Sequence, residues 1–189
     1  MNANTLLTKA KDGFSTLDVS KKYVDAALKW LEVWLSDPMF SEYVHQIQYL
    51  IENKRWNFLL DAFYQVIPFG TGGRRGLVGI GPNRINTWTI QASAQGHSQY
   101  LMNMFGDEAK QRGVVLTYDV RKYVQKGIYD DSAPNPVTDL DGRQLAIAAA
   151  EVYAANQIKV YMYDGTRSTP QLSFTIRHLN AVSGDMFSA

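Results

Sequence analysis

The sequence predicts an α/β fold, with a mixed, mainly parallel sheet between helices and an N-terminal helical extension ahead of it. Three observations carry this. Apolar residues before Tyr64 recur at helical spacing, a glycine-rich loop at Phe69 to Gly76 then ends that pattern, and from Val114 onward short β-rich runs alternate with helical ones. Such alternation is how a chain builds parallel strands joined by right-handed crossover helices. The expected organisation is an extension over residues 1–68 and an α/β domain over residues 69–189.

Within the extension, Tyr23, Ala26, Ala27, Trp30, Leu31 and Trp34 mark a first helix, and Asp37-Pro38 supplies a break. Tyr43, Ile47, Leu50 and Ile51 mark a second helix, and Trp56, Leu59, Leu60 and Phe63 a third. The aromatic stripe reads as packing, because that is how helices bury a face. After the glycine loop, Ile85, Trp88, Ala92, Tyr100, Leu101 and Met104 outline a helix that begins near Asn86 and ends before Gly106. VVLTYDV, Val114 to Val120, is a run of the kind buried on both faces of a parallel sheet. The helix Arg143 to Asn156 and the strand Ile158 to Asp164 follow, then a helix over Thr169 to Asn180 with Thr169 as its cap and Pro170 at its first position. A last strand starts near Val182. Gln125 to Gly142 has no periodicity and reads as a polar connection without a domain boundary.

Composition narrows the function. The 189 residues are 46 % hydrophobic and 20 % charged, enough for a well-buried domain. Nineteen basic residues against eighteen acidic leave a net charge of +1, so nothing draws the whole chain toward nucleic acid or an anionic membrane. With no cysteine, disulfides and thiolate chemistry are excluded. The start lacks the apolar run of a signal peptide and no stretch is long enough to span a bilayer, so a cytoplasmic protein is the expectation.

The loop FGTGGRRG places four glycines beside two arginines. Glycine lets backbone N–H groups approach a ligand, and a guanidinium offers forked donors that match phosphate oxygens. A phosphate loop is one reading, and a plain turn with solvated arginines is the other. A Walker loop is excluded, because Arg74-Arg75-Gly76 cannot supply its Lys-Ser/Thr. A dinucleotide loop must follow a strand and open a helix, whereas Pro68 precedes this one and LVGIGPNRIN follows it.

Ligands of an open parallel sheet bind beyond the carboxyl ends of its strands. The first strand ends in Asp119-Val-Arg121 and the second in Asp164-Gly-Thr-Arg167, so each brings a carboxylate and a guanidinium to one edge; each pair reads first as a structural salt bridge. The third strand runs to Ser188-Ala189. His45, His97 and His178 show no metal-ligand spacing and read as core or surface histidines. Asp130-Asp131 and Asp139-Asp141 suit a hard cation only loosely.

Together these residues resemble the α-D-phosphohexomutases, the phosphoglucomutase and phosphomannomutase superfamily. The family loop is close to F-G-T-A-G-L-R-G, and Phe69 to Gly76 match it except at Gly73 and Arg74. Gln95-Gly96, Asp119-Val-Arg121 and STPQLSFTIRHLNA also match their family counterparts, and coverage runs from about Trp30 to Ala189. The resemblance implies the first α/β domain of a phosphosugar mutase, which moves phosphate between the 1 and 6 positions of a hexose through a phosphoserine and a bisphosphate intermediate. It implies catalytic roles for Arg75 and Thr71, with Gly72, Gly73, Arg74, Asp119, Arg121, Ser188 and Ala189 in the phosphate neighbourhood. Ser188-Ala189 match the first two residues of the family's T/S-A-S-H-N-P, so the phosphoserine is expected at the following position and the 189-residue chain is expected to be inactive by itself. Mg²⁺, with ligands outside this chain, and glucose 1,6-bisphosphate as activator are implied in the same way. The implied partners are a hexose phosphate and the remaining domains of the same enzyme. A complete non-catalytic module that recognises a phosphorylated sugar or a partner is the competing reading, and a nucleotide-dependent oxidoreductase fails on context.

Overall fold

A computed structural model describes residues 2–124 and 126–189. The chain divides into two compact units, Met1–Asn86 with Val124–Thr138, and Thr87–Tyr123 with Asp139–Ala189.

The first unit is helical. α1 (Ala3–Phe14) buries Leu6, Ala10 and Phe14, and the Asn2 side chain caps it by accepting the Thr5 N–H at 2.9 Å. This helix is absent from the sequence expectation. α2 (Lys21–Ser36) stops at Asp37, whose carboxylate accepts the Met39 N–H at 2.9 Å and opens a 3₁₀ helix over Pro38–Tyr43. α3 (Val44–Glu52) and α4 (Trp56–Phe63) complete the expected helices. Their shared core is aromatic: Trp34, fully buried, stacks on Phe40 at 4.3 Å and meets Phe63 edge-on at 5.5 Å.

The connection after residue 125 is more than a polar link. Its first expected residue, Gln125, lies outside the described residues, but Tyr129 and Val137 are buried in the helical unit. Buried Gln46 of α3 accepts the Asp130 N–H at 2.8 Å and donates to the carbonyls of Asp130 and Pro134. Its side chain thus satisfies backbone groups that a buried loop otherwise leaves unpaired.

The second unit holds the parallel sheet. β3 (Val114–Tyr118), buried at every position, lies between β4 (Val160–Met162) and β5 (Ser183–Phe187), and both neighbours run parallel to it. Val114 therefore pairs with Val160 on one side and Ser183 on the other. α5 (Thr87–Phe105), α6 (Asp107–Arg112), α7 (Gly142–Ala155) and α8 (Thr169–His178) supply the helices. Leu172 and Ile176 of α8 pack on Val115, while the start of α7 lies against Tyr118, which alternation puts on the opposite face. The cap of α8 is Ser168, one residue earlier than expected: its N–H reaches the Gln171 side-chain oxygen at 3.2 Å, so Thr169 is the first helical residue.

Candidate functional site

The glycine loop belongs to the helical unit. Phe69–Gly70 and Gly73–Arg74 pair as two short antiparallel strands, β1 and β2, with Thr71 and Gly72 at the tip. Gly73 has φ of +137°, a conformation that side-chain-bearing residues rarely adopt, so the turn depends on glycine there. The base of the loop is fixed by backbone bonds, since Ile67 N–H donates to Pro82 O at 2.8 Å and Gly79 N–H to Ile85 O at 3.1 Å. The Asn86 amide adds two more, donating to Gly79 O and Gly81 O, each at 2.9 Å.

This geometry separates the two arginines. Arg74 folds back and donates from Nη1 to the Ile67 carbonyl, and burial pulls its pKa below the ordinary guanidinium value. Arg75 is exposed, and its guanidinium enters none of the hydrogen bonds or ion pairs of the described residues. A concavity of about 320 Å³ is lined by Pro68, Gly70, Thr71, Gly72, Gly73 and Arg75. One uncommitted guanidinium beside a glycine backbone is an arrangement suited to an anionic oxygen.

The strand-end residues belong to the α/β unit. Asp119 Oδ1 accepts the Arg121 N–H at 3.0 Å, and Asp119 Oδ2 lies 3.4 Å from Arg121 Nε. Arg121 Nη1 donates to Ser188 Oγ at 3.1 Å, joining the ends of β3 and β5. Asp141 caps α7 through a reciprocal pair with Gln144, 2.8 and 2.9 Å. Gly142 then sits so close to the strand ends that a Cβ there would lie 2.9 Å from Phe187 O and 3.1 Å from Tyr118 Cβ. At the end of β4, Arg167 pairs with Asp164 at 3.1 Å and its N–H donates to Tyr118 O at 3.2 Å, so the second Asp and Arg reach the same sheet edge. Both Asp–Arg pairs are thus salt bridges between exposed or half-exposed groups.

The histidines hold other positions. His45 Nε2 lies 2.9 Å from Asp130 Oδ2, and His178 stacks on Phe174. Bonds from the Ser132 hydroxyl, His45 and the Ser132 N–H hold the Asp130 carboxyl at about 2. His97 joins Tyr153 and Asp185, a cluster the sequence reading missed. The available signal was Asp185 itself, a carboxylate at the centre of the five-residue strand Ser183–Phe187. No group of three or more His, Asp and Glu side chains among the described residues is arranged to hold a metal ion. No helix among them is long and apolar enough to cross a membrane.

A family model described as phosphoglucomutase/phosphomannomutase, alpha/beta/alpha domain I, matches residues 138–189. Among curated proteins, a phosphopentomutase of Mus musculus is 31 % identical over 182 residues, 96 % of this chain and 26 % of that protein. A glucose 1,6-bisphosphate synthase of Mus musculus is 32 % identical over 189 residues, 100 % of this chain and 27 % of that protein. A phosphoglucomutase of Staphylococcus haemolyticus is 30 % identical over 138 residues, 73 % of this chain and 21 % of that protein. The chain thus spans about a quarter of the length of these relatives. No solved structure matches it.

Proposed function

The chain belongs to the phosphoglucomutase/phosphomannomutase superfamily, and from that premise we propose that its protein moves a phosphoryl group between two positions of a phosphorylated sugar in the cytoplasm. In this reading residues 1–68 are an extension, residues 69–189 form the first α/β domain, and a hexose phosphate and the enzyme's remaining domains are the partners. The route runs through a phosphoserine and a bisphosphate intermediate such as glucose 1,6-bisphosphate. The 189-residue chain carries the loop arginine and strand ends but turns over no phosphosugar alone.

The observation that carries the proposal is the division of labour between Arg74 and Arg75. Phosphoryl transfer demands positioning and neutralisation of charge on non-bridging oxygens. Arg74 is committed to the Ile67 carbonyl, whereas Arg75 lines the loop concavity with its donors unused. Arg75 therefore takes a phosphate oxygen, with Thr71 and the backbone of Gly72 and Gly73 beside it. Asp119 and Arg121 hold the exit of β5, where Ser188-Ala189 precede the position expected for the phosphoserine. A bound Mg²⁺ neutralises transferring phosphate in such chemistry. In this reading its ligands belong to the rest of the enzyme.

The test compares two substitutions in the full-length enzyme. Arg75→Ala lowers kcat/KM about 10²–10³-fold, the usual cost of removing one charge-stabilising donor, with folding intact. Arg74→Ala instead costs roughly 1–2 kcal/mol of stability through its lost carbonyl bond and affects turnover less. Equal turnover losses overturn the assignment.

A further inference from the structure

Three polar side chains of the α/β unit meet apart from the loop and the strand ends: His97 of α5, Tyr153 of α7 and Asp185 of β5. Tyr153 is 1 % exposed, and its hydroxyl donates to Asp185 Oδ2 at 2.5 Å. His97 Nδ1 lies 2.7 Å from the same hydroxyl oxygen and 3.6 Å from Asp185 Oδ2. The His97 and Tyr153 rings meet edge to face with centroids 5.8 Å apart.

Counting protons fixes the state of the imidazole. A carboxylate only accepts, and a phenol has one proton to give, here directed to Asp185. Burial, and then the neighbouring Asp185 charge, push the Tyr153 pKa well above its ordinary value, so the phenol keeps that proton. The short contact from the phenol oxygen to His97 Nδ1 must then be bridged by a proton on the nitrogen. We infer that Tyr153 and Asp185 hold His97 as its Nδ1–H tautomer, with the Nε2 lone pair left over, and that this relay of two hydrogen bonds positions β5.

The placement gives the relay its consequence. Among the described residues β5 pairs with one strand only, β3, so side-chain anchors decide how firmly its course is held. Asp185 lies three residues before Ser188 and accepts from a side chain of α7 that α5 orients in turn. His97 and Tyr153 are thus positioning residues for the strand that delivers Ser188. A carboxylate that orders a histidine through the opposite ring nitrogen is a recurrent way of fixing tautomer and ring orientation.

Imidazole ¹⁵N NMR of the 189-residue chain, above the pH range in which its histidines titrate, tests the tautomer. His97 is expected to show a protonated Nδ1 and an unprotonated Nε2, and the reverse assignment overturns the inference. Tyr153→Phe keeps the ring and removes the relay. Amide exchange along β5 should then quicken about tenfold or more, as for loss of a hydrogen bond to a charged group, with β4 within about twofold. Equal acceleration of β4 and β5, or no change in β5, overturns the positioning role. Should Tyr153→Phe fail to fold, Asp185→Asn and Asp185→Leu make the same comparison. The asparagine retains an acceptor oxygen and should keep the Nδ1–H tautomer, and the leucine should lose it. Identical tautomers in the two variants overturn the relay.

Discussion

Arg121 Nη1 donates to Ser188 Oγ at 3.1 Å while its Nε faces Asp119 Oδ2 at 3.4 Å, so one guanidinium ties the exit of β3 to the exit of β5. Arg121 is 72 % exposed, and exposed pairs of this kind contribute only about 0–1 kcal/mol. Its effect is therefore expected in local order more than in global stability. Arg121→Ala should shift the thermal midpoint by no more than a few degrees and lower the backbone order parameter at Ser188 toward about 0.6 or less. ¹⁵N relaxation checks this, and an unchanged Ser188 would show that the contact does not order the strand exit.

Two glycines of the α/β unit should respond oppositely to alanine. A Cβ at Gly142 would meet Phe187 O at 2.9 Å and Tyr118 Cβ at 3.1 Å, so Gly142→Ala must push the start of α7 off the strand ends. The expected cost is about 1–3 kcal/mol, as for other overpacked sites. At Gly96, inside α5, nothing lies within 4 Å of an added Cβ, and Gly96→Ala should stabilise by up to about 1 kcal/mol through helix propensity. Urea denaturation of both variants makes the comparison, and a stabilising Gly142→Ala would contradict the close approach.

Asp130 gives the helical unit a pH dependence of defined sign. Its carboxyl is lowered from 3.8 to about 2 by Ser132 and His45, so the folded state favours the ionised form. Stability from this group is fully present above pH 3.8 and drains away as pH falls toward about 2. Asp130→Asn removes the charge and keeps an acceptor for Ser132. The denaturation midpoints of wild type and variant should differ by a constant amount above about pH 5, draw together as pH falls below 3.8 and converge only near and below about pH 2. A gap that does not narrow between pH 3.8 and about 2 would mean that Asp130 ionisation does not support the fold.

What the sequence made legible follows from periodicity. β3 could be read because five consecutive apolar or β-branched residues are buried at every position, and α7 because alanine and leucine recur at helical spacing before Asn156. α1 escaped because Leu6, Ala10 and Phe14 are its few buried side chains along a dodecamer that otherwise faces solvent. The connection concealed Tyr129 and Val137 for a related reason: an irregular backbone has no period, and its burial depends on distant Gln46. At the loop, composition pointed to anion chemistry without telling the adjacent arginines apart, and only the family resemblance singled out Arg75. The physical difference between them appears where the hairpin turns Arg74 back onto Ile67.

The proposed reaction takes its phosphate-accepting hydroxyl from the position after Ser188-Ala189, the pair that resembles the first two residues of the superfamily's T/S-A-S-H-N-P. Ser188 is the nearest hydroxyl the 189-residue chain can offer, and its Oγ already accepts from Arg121 at 3.1 Å. That bond holds the oxygen against a guanidinium, which lowers its electron density, and no carboxylate or histidine partner supplies a base to it among the described residues. Incubated with glucose 1,6-bisphosphate and Mg²⁺, the chain is therefore expected to keep its intact mass, whereas the full-length protein gains one phosphoryl group. Stoichiometric phosphorylation of the 189-residue chain would place the nucleophile within it and refute the alignment of Ser188-Ala189 with the motif.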